Sequence, residues 1–220
     1  NPESKPSMHV LSDKFIHSDL KKFDLVPLSG VTNSLTILCN EIGYWAKYKS
    51  DRYGFRNNEI VWDKNDIEYL IIGDSYAHGA CVRNENTISS NLSKLSKKNS
   101  INLGIGGNGP IMSYAALKEF GIQKKPKKII WIFNISDLSD LDYELENEII
   151  SKYFYSDNFS QDLKNKTSEY DLLYNKIIQK YLKNKNNFFK FVNIRKQLNI
   201  ILNNIFNKNN KKELISENHF

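Results

Sequence analysis

The chain has 220 residues, of which 40% are hydrophobic and 25% charged, and it carries a net charge of +6 with a pI near 9.1. This length and apolar content are enough for a sizeable core and suit one α/β domain with added elements. The basic excess lies in Asn/Lys-rich runs typical of solvated surface, and the sequence has neither a nucleic-acid-binding motif nor an apolar run of the roughly 18 residues that span a membrane. We therefore expect no nucleic-acid partner, and membrane association only through segments outside this chain.

Residues 1–58 mix short apolar groups with Pro, Ser, Gly and Asn, and we interpret them as an N-terminal arm that packs on the core. The one convincing strand pattern in this arm is Leu35-Thr36-Ile37-Leu38.

The two cysteines, Cys39 and Cys81, are too far apart in the sequence for a metal pair and have no accompanying histidines. We therefore expect no metal site, and we expect two buried free thiols. The alternative is a Cys39–Cys81 disulfide that ties the arm to a later loop, which would imply an oxidising compartment.

Strand and helix patterns alternate from residue 59 to about 140, which is typical of an α/β core. Short loops connect these segments, so the pattern predicts a parallel sheet with right-handed crossovers. The last strand is almost continuously apolar, and we expect it to be covered on both faces. The predicted elements are strand 67–72, helix 85–97, strand 100–103, helix 110–121 and strand 128–134.

Beyond Asp137 the pattern becomes helical, and we interpret residues 141–220 as a helical insertion or cap. Its last predicted helix has a wide apolar stripe from Phe188 to Phe206. The aromatic side chains that follow Asp137 are candidates to line a sugar-sized groove, with burial in the core as the alternative. These side chains are Tyr143, Tyr153, Phe154 and Tyr155.

Ser75 lies where the first core strand runs into a helical stretch, in the block Gly73-Asp74-Ser75. A serine on such a turn sits at the carboxyl edge of a parallel sheet, where a helix N-terminus favours developing negative charge. Ser75 is therefore the candidate nucleophile, and the alternative is a serine that only caps the helix. We interpret Asp74 as a residue that holds this loop through hydrogen bonds, and Asp137 as a helix cap or loop anchor.

The blocks Gly73–Gly79 and Asn102–Gly109, in this order and each at the end of a strand, resemble those of the SGNH (GDSL) hydrolase family. The segment Ser50–Asn57 is similar to what precedes the first strand in many envelope-associated members. The resemblance covers roughly residues 53–141. It implies a three-layer α/β sandwich with a parallel, flavodoxin-like sheet, and it implies no metal or organic cofactor.

The resemblance implies a serine ester hydrolase or acyl transferase that acts on an O-acyl substrate such as an O-acetyl group of an envelope glycan. Ser75 would be the nucleophile, and the backbone N–H groups of Ser75 and Gly107 would hold the oxyanion. The family's third block adds an asparagine side chain. At the corresponding position this chain has Asn134-Ile135-Ser136-Asp137. Ser136 and Asn134 are therefore the candidates for the side-chain donor to the oxyanion.

The family's catalytic base comes from an Asp-x-x-His block, and none of the four histidines follows an aspartate in this spacing. We interpret His78 and His219 as ordinary surface or loop histidines. We expect a last strand and the Asp/His pair beyond Phe220, so this chain without them should be nearly inactive. By the same resemblance, the protein is expected in a bacterial envelope or periplasm, with any signal or anchor upstream of Asn1.

Two other interpretations remain open. A non-catalytic carbohydrate-binding or scaffold protein with the same fold is favoured by Ser136 and by the missing base. A dinucleotide-binding oxidoreductase is suggested by Gly104-x-Gly106-x-x-Gly109, although this fingerprint follows the second strand and Asp137 comes later than the usual interval of about 20 residues.

Overall fold

The computed structural model describes residues 5–6, 24–41, 43–135 and 137–179. A small sheet contains β1 (Lys5–Pro6), β2 (Leu35–Ile37) and β3 (Lys47–Lys49), with β2 between a parallel β1 and an antiparallel β3. The main sheet is parallel and has β4 (Ile67–Gly73) between β5 (Asn99–Asn102) and β6 (Lys128–Ile132). The described residues therefore form a mixed α/β fold with a three-stranded parallel sheet, and the alternating pattern predicts such a fold.

The helices follow the strands in the predicted order. They are α1 (Ser75–His78), α2 (Ile88–Ser96), α3 (Pro110–Ala116), α4 (Asp137–Glu146), α5 (Ile150–Tyr155) and α6 (residues 167–179). Helix α3 continues as a π-helical turn, Leu117–Gly121, where the sequence predicts a regular helix. Short 3₁₀ turns lie at Glu59–Asp63, Asn84–Asn86 and Ile122–Lys124. The predicted apolar helix between Phe188 and Phe206 lies outside the described residues.

Strand β4 forms the centre of the core. Its side chains Leu70, Ile71 and Ile72 are fully buried, as expected for a middle strand covered on both faces. Gly73 ends the strand at φ +142°, and a Cβ there would lie 2.3 Å from the carbonyl oxygen of Ile132. Glycine at this position therefore lets β4 and β6 stay paired up to the turn that leads to Ser75.

The prediction that the last strand is covered on both faces is wrong. Ile129 and Trp131 of β6 are 50% and 46% exposed. In the part of the chain that the structure describes, β6 pairs only with β4 and so forms an edge of the sheet. The apolar run reflects strand propensity here more than two-sided burial.

The described part of the arm is fixed to the core by buried polar contacts. Val26 donates its N–H to Gln161 Oε1 at 2.6 Å, and Gln161 Nε2 donates back to the Val26 carbonyl at 3.2 Å. Asn108 Nδ2 donates to the carbonyl oxygen of Leu28 at 3.1 Å. All described residues up to Ile178 belong to one compact unit.

The segment before β4 is organised by Asp51, which is 1% exposed. Its carboxylate accepts hydrogen bonds from the N–H groups of Tyr53 and Phe55 and from the side chains of Asn57 and Trp62. Four donors around one carboxylate offset much of the cost of its burial, although burial still raises its pKa. Asp51 therefore fixes the loop that leads into the main sheet.

Asn57 also hydrogen-bonds to the edge of β5 that no strand covers among the described residues. Its Oδ1 accepts from the N–H of Asn102 at 2.8 Å, and its Nδ2 donates to the carbonyl of the same residue at 2.9 Å. The side-chain amide thereby makes the two hydrogen bonds that a neighbouring strand would otherwise supply.

A second buried carboxylate, Glu119, connects α3 to the segment after α5. It accepts hydrogen bonds from the Tyr153 hydroxyl, from Ser160 Oγ and from the N–H groups of Gln161 and Leu163. Tyr153 is only 2% exposed, so for this residue the alternative, burial in the core, is confirmed and a place in a sugar groove is excluded. No helix among the described residues combines the length and apolarity that crossing a bilayer requires.

Candidate functional site

Ser75 is the first residue of α1, directly after the central strand of the main sheet, and it is half-buried. Asp74 precedes it as the helix cap and accepts the N–H of Tyr76 at 2.9 Å. The hydroxyl of Ser75 lies 3.4 Å from Asp74 Oδ2. Asp74 therefore holds the turn, and the Ser75 side chain is partly open to solvent at the carboxyl end of β4.

The glycine-rich loop after β5 forms a turn from Ile105 to Asn108, closed by the N–H of Asn108 and the carbonyl of Ile105 at 3.1 Å. Gly107 has φ +85° at the third position of this turn, as a type II turn requires. Within the described residues, the backbone N–H groups of Ser75 and Gly107 donate to no other protein group. Both N–H groups therefore remain candidates to hold an oxyanion.

His78 connects α1 to the glycine-rich loop. It is 1% exposed, its Nδ1 accepts the N–H of Gly106 at 3.1 Å, and its Nε2 lies 2.9 Å from the Tyr48 hydroxyl. Because Nδ1 accepts a hydrogen bond, the proton of the neutral ring lies on Nε2 and is donated to Tyr48. The interpretation of His78 as a surface or loop histidine is wrong: it is a buried residue that positions the loop.

Asp137 is the first residue of α4, and its side chain contacts the turn that carries Asp74 and Ser75. Its Oδ2 accepts the N–H of Asn134 at 2.8 Å, and its carboxyl group hydrogen-bonds to that of Asp74. Burial raises the pKa of Asp137, and the Asp74 carboxylate raises it further. The two carboxyl groups thus join the ends of β4 and β6. Asn134 is placed at this junction, whereas Ser136 lies outside the described residues.

Glu144 of α4 caps the N-terminus of α3. Its carboxylate is 1% exposed and accepts from the N–H groups of Ile111 at 2.7 Å and Met112 at 3.1 Å, with a further hydrogen bond from Gly109. A dinucleotide pyrophosphate would need this same helix end. A Cβ at Gly109 would lie 2.8 Å from atoms of Glu144, so this glycine accommodates α4. The geometry therefore disfavours the dinucleotide interpretation.

Burial raises the pKa of Glu144 from 4.5 to about 7. Between these values the folded state binds a proton that the unfolded state has lost, so the free energy of unfolding decreases by about 3 kcal/mol as the pH rises through this window. We expect Glu144→Gln to remove this decrease, because the amide oxygen still accepts from the helix and does not titrate. Urea unfolding at several pH values measures the effect.

The matched control for this prediction is Glu146→Gln, since Glu146 lies on the same helix and is exposed. It should follow the pH profile of the native protein. A Glu144→Gln profile that parallels the native one would show that folding does not raise the pKa of Glu144.

Cys39 and Cys81 form a disulfide with their Cα atoms 5.2 Å apart, so the expectation of two free thiols is wrong. The small sheet brings the residues after β2 against the loop after α1, although 42 positions separate the two cysteines. The disulfide therefore ties the arm to the loop that follows the candidate nucleophile.

A cleft of about 590 Å³, which we name the Ser75 cleft, opens beside these residues. Ser75, Tyr76, His78 and Gly106 line one part of it, so the nucleophile turn and the glycine-rich loop meet at the same cavity. The other described residues of the lining are Leu38, Cys39, Glu41, Gly79, Ala80, Cys81, Val82, Asn86, Thr87 and Ile88.

Arg56 is a site-supporting residue that the sequence analysis did not single out. Its guanidinium donates to the carbonyl oxygens of Gly79 at 2.6 Å and Val82 at 2.8 Å, and to Asn84 Oδ1 at 2.9 Å. It also stacks over the ring of Tyr48 at 5.0 Å. Arg56 therefore fixes the loop that forms one wall of the Ser75 cleft, and its place in the segment Ser50–Asn57 is the signal that marks it.

A larger groove of about 780 Å³ lies elsewhere and does not include Ser75. Its lining includes Lys49, Lys64 and Lys98, together with Val61 and several Ser and Asn residues; we name it the lysine groove. Among the described residues, no group of three His, Cys, Asp or Glu side chains is arranged to hold a metal ion.

Comparison of the chain with models of protein families, with curated proteins and with solved structures finds no match.

Proposed function

We propose that the protein is an SGNH-type serine ester hydrolase or acyl transferase in which Ser75 attacks the carbonyl carbon of an O-acyl substrate. The observation that supports this most is the position of Ser75, half-exposed at the carboxyl end of the central strand and facing a cleft that the glycine-rich loop also lines. The fold proposed with it is the three-layer sandwich of that family.

In the proposed reaction, Ser75 Oγ forms a bond to the acyl carbon while the bond to the leaving alcohol breaks, and the hydroxyl proton ends on that alcohol. The backbone N–H groups of Ser75 and Gly107 hold the negative oxygen. Water, or the hydroxyl of an acceptor, then takes the acyl group from Ser75. Asn134 and Ser136 remain proposed as further donors to the oxyanion.

The base for this step is proposed to be a histidine. In the described ranges the only histidine is His78, and both of its ring nitrogens are engaged by Gly106 and Tyr48. This observation favours the second candidate function, a non-catalytic protein of the same fold that binds a carbohydrate.

The proposed substrate is an O-acyl ester, such as an acylated envelope glycan, and the proposed compartment is the bacterial envelope. The Cys39–Cys81 disulfide supports this compartment, because structural disulfides persist in oxidising surroundings. The proposal includes neither a nucleic-acid partner nor a metal or organic cofactor.

Labelling with a serine-directed fluorophosphonate tests the proposal on the full-length protein. We expect one adduct, located by peptide mass spectrometry on Ser75, and no adduct on Ser75→Ala. The control is Ser93→Ala, a half-buried serine of α2 that does not line the Ser75 cleft; it should label like the native protein. Absence of any adduct on the native protein would favour the non-catalytic function, and an adduct on another serine would exclude Ser75 as nucleophile.

A further inference from the structure

The Ser75 cleft has an apolar wall beside the candidate nucleophile. This wall is formed by the side chains of Leu38, Ala80, Val82 and Ile88 and by the Cys39–Cys81 disulfide. Among the described residues of the lining, Glu41 is the one acidic residue and there is no Lys or Arg. This part of the lining therefore offers apolar contact and no positive charge for an anionic group.

The wall is held in place by the surrounding structure. The disulfide joins its two sides, and Arg56 binds the carbonyl oxygens of Gly79 and Val82. The cleft is thus built before a substrate enters, which reduces the conformational entropy lost on binding.

The lysine groove differs from the Ser75 cleft in the basic side chains of its lining. Lys49, Lys64 and Lys98 line it together with Ser and Asn side chains, and Ser75 is not part of it. Basic side chains therefore line the lysine groove and, among the described residues, do not line the Ser75 cleft.

We infer that the Ser75 cleft binds the acyl part of the ester and that this acyl group is an uncharged hydrocarbon chain longer than acetyl. The inference rests on the proposed function, since it needs Ser75 as the nucleophile. It narrows the substrate class from O-acyl esters in general to esters of aliphatic acids of several carbons.

Burial of one methylene group favours binding by about fourfold when the group is fully removed from water. A hexanoyl ester has four more methylene groups than an acetyl ester. With partial burial in an open cleft, we expect kcat/KM for the hexanoyl ester to exceed that for the acetyl ester by at least about tenfold.

The experiment compares 4-nitrophenyl acetate, butyrate and hexanoate on the full-length protein and two variants. Val82→Phe fills the Ser75 cleft and should remove the preference for hexanoate over acetate. Val61→Phe is the matched control, because Val61 is a half-buried valine of the lysine groove; it should keep the native preference. Thermal melting of both variants verifies that they fold.

The results with the three esters distinguish failure of the acyl-chain inference from failure of the serine hydrolase proposal. Rising kcat/KM with chain length that Val82→Phe abolishes and Val61→Phe preserves would support the inference. Hydrolysis that is equal for all three esters, or fastest for acetate, would overturn the inference and leave the serine hydrolase proposal intact. No hydrolysis of any ester, together with no fluorophosphonate adduct, would overturn both.

Discussion

Replacement of Ser75 by alanine is expected to lower kcat for ester hydrolysis by about 10⁴- to 10⁶-fold. The physical reason is that the variant has no oxygen to form the acyl intermediate, so that only binding and the oxyanion donors contribute to the remaining rate. Because the Ser75 cleft is otherwise intact, KM should change little. Steady-state kinetics of the full-length protein with 4-nitrophenyl butyrate measures both constants.

The fold should tolerate this substitution. Asp74 caps α1 through its own side chain, and the Ser75 hydroxyl makes only a long contact to Asp74 Oδ2 among the described residues. Ser93→Ala serves again as the control and should retain native kcat. A loss of less than tenfold in Ser75→Ala, with native thermal stability, would contradict a nucleophilic role.

Alanine at Gly54 is expected to destabilise the protein by more than about 4 kcal/mol, which is a large fraction of the free energy of unfolding of an ordinary domain. Gly54 has φ +86°, and a Cβ there would lie 1.9 Å from the carbonyl oxygen of Gly30. The N–H of Gly30 donates to the carbonyl of Gly54 at 3.0 Å, so neither backbone segment can move away without losing this hydrogen bond.

Gly43→Ala is the control that isolates the steric part of this effect. Gly43 has φ +83°, almost the same as Gly54, but a Cβ there meets no atom of the described residues within 4 Å. Its substitution should cost only the backbone strain of about 1 kcal/mol. Urea unfolding of both variants measures the difference, and similar losses for the two would refute the close contact between Gly54 and Gly30.

The part of the fold that could be predicted is the part that depends on the pattern of neighbouring residues in the sequence. Strand β4 was identifiable because its apolar residues run directly into Gly73-Asp74-Ser75, where the chain must turn. The turn at Gly107 was identifiable for a similar reason, since successive glycines permit a positive φ. The role of these residues in catalysis remains a prediction.

Other features depend on contacts that no local pattern reports. Glu144 lies in an acidic helical stretch that is typical of a solvated face, yet it is buried against α3 more than 30 residues earlier in the chain. The pairing of Cys39 with Cys81 depends on how the small sheet meets the loop after α1. The exposure of Trp131 depends on how many strands pair with β6. The residues of β6 itself do not specify that number.

The side-chain amide of Asn57 hinders self-association through the edge of β5. An open strand edge offers its N–H and carbonyl groups to the edge of another molecule, which is a common route to aggregation. On β5, Asn57 already uses both backbone groups of Asn102, the last residue of that strand. A second molecule would have to displace this amide before it could extend the sheet, so Asn57 protects the end of β5 that lies nearest to Ser75.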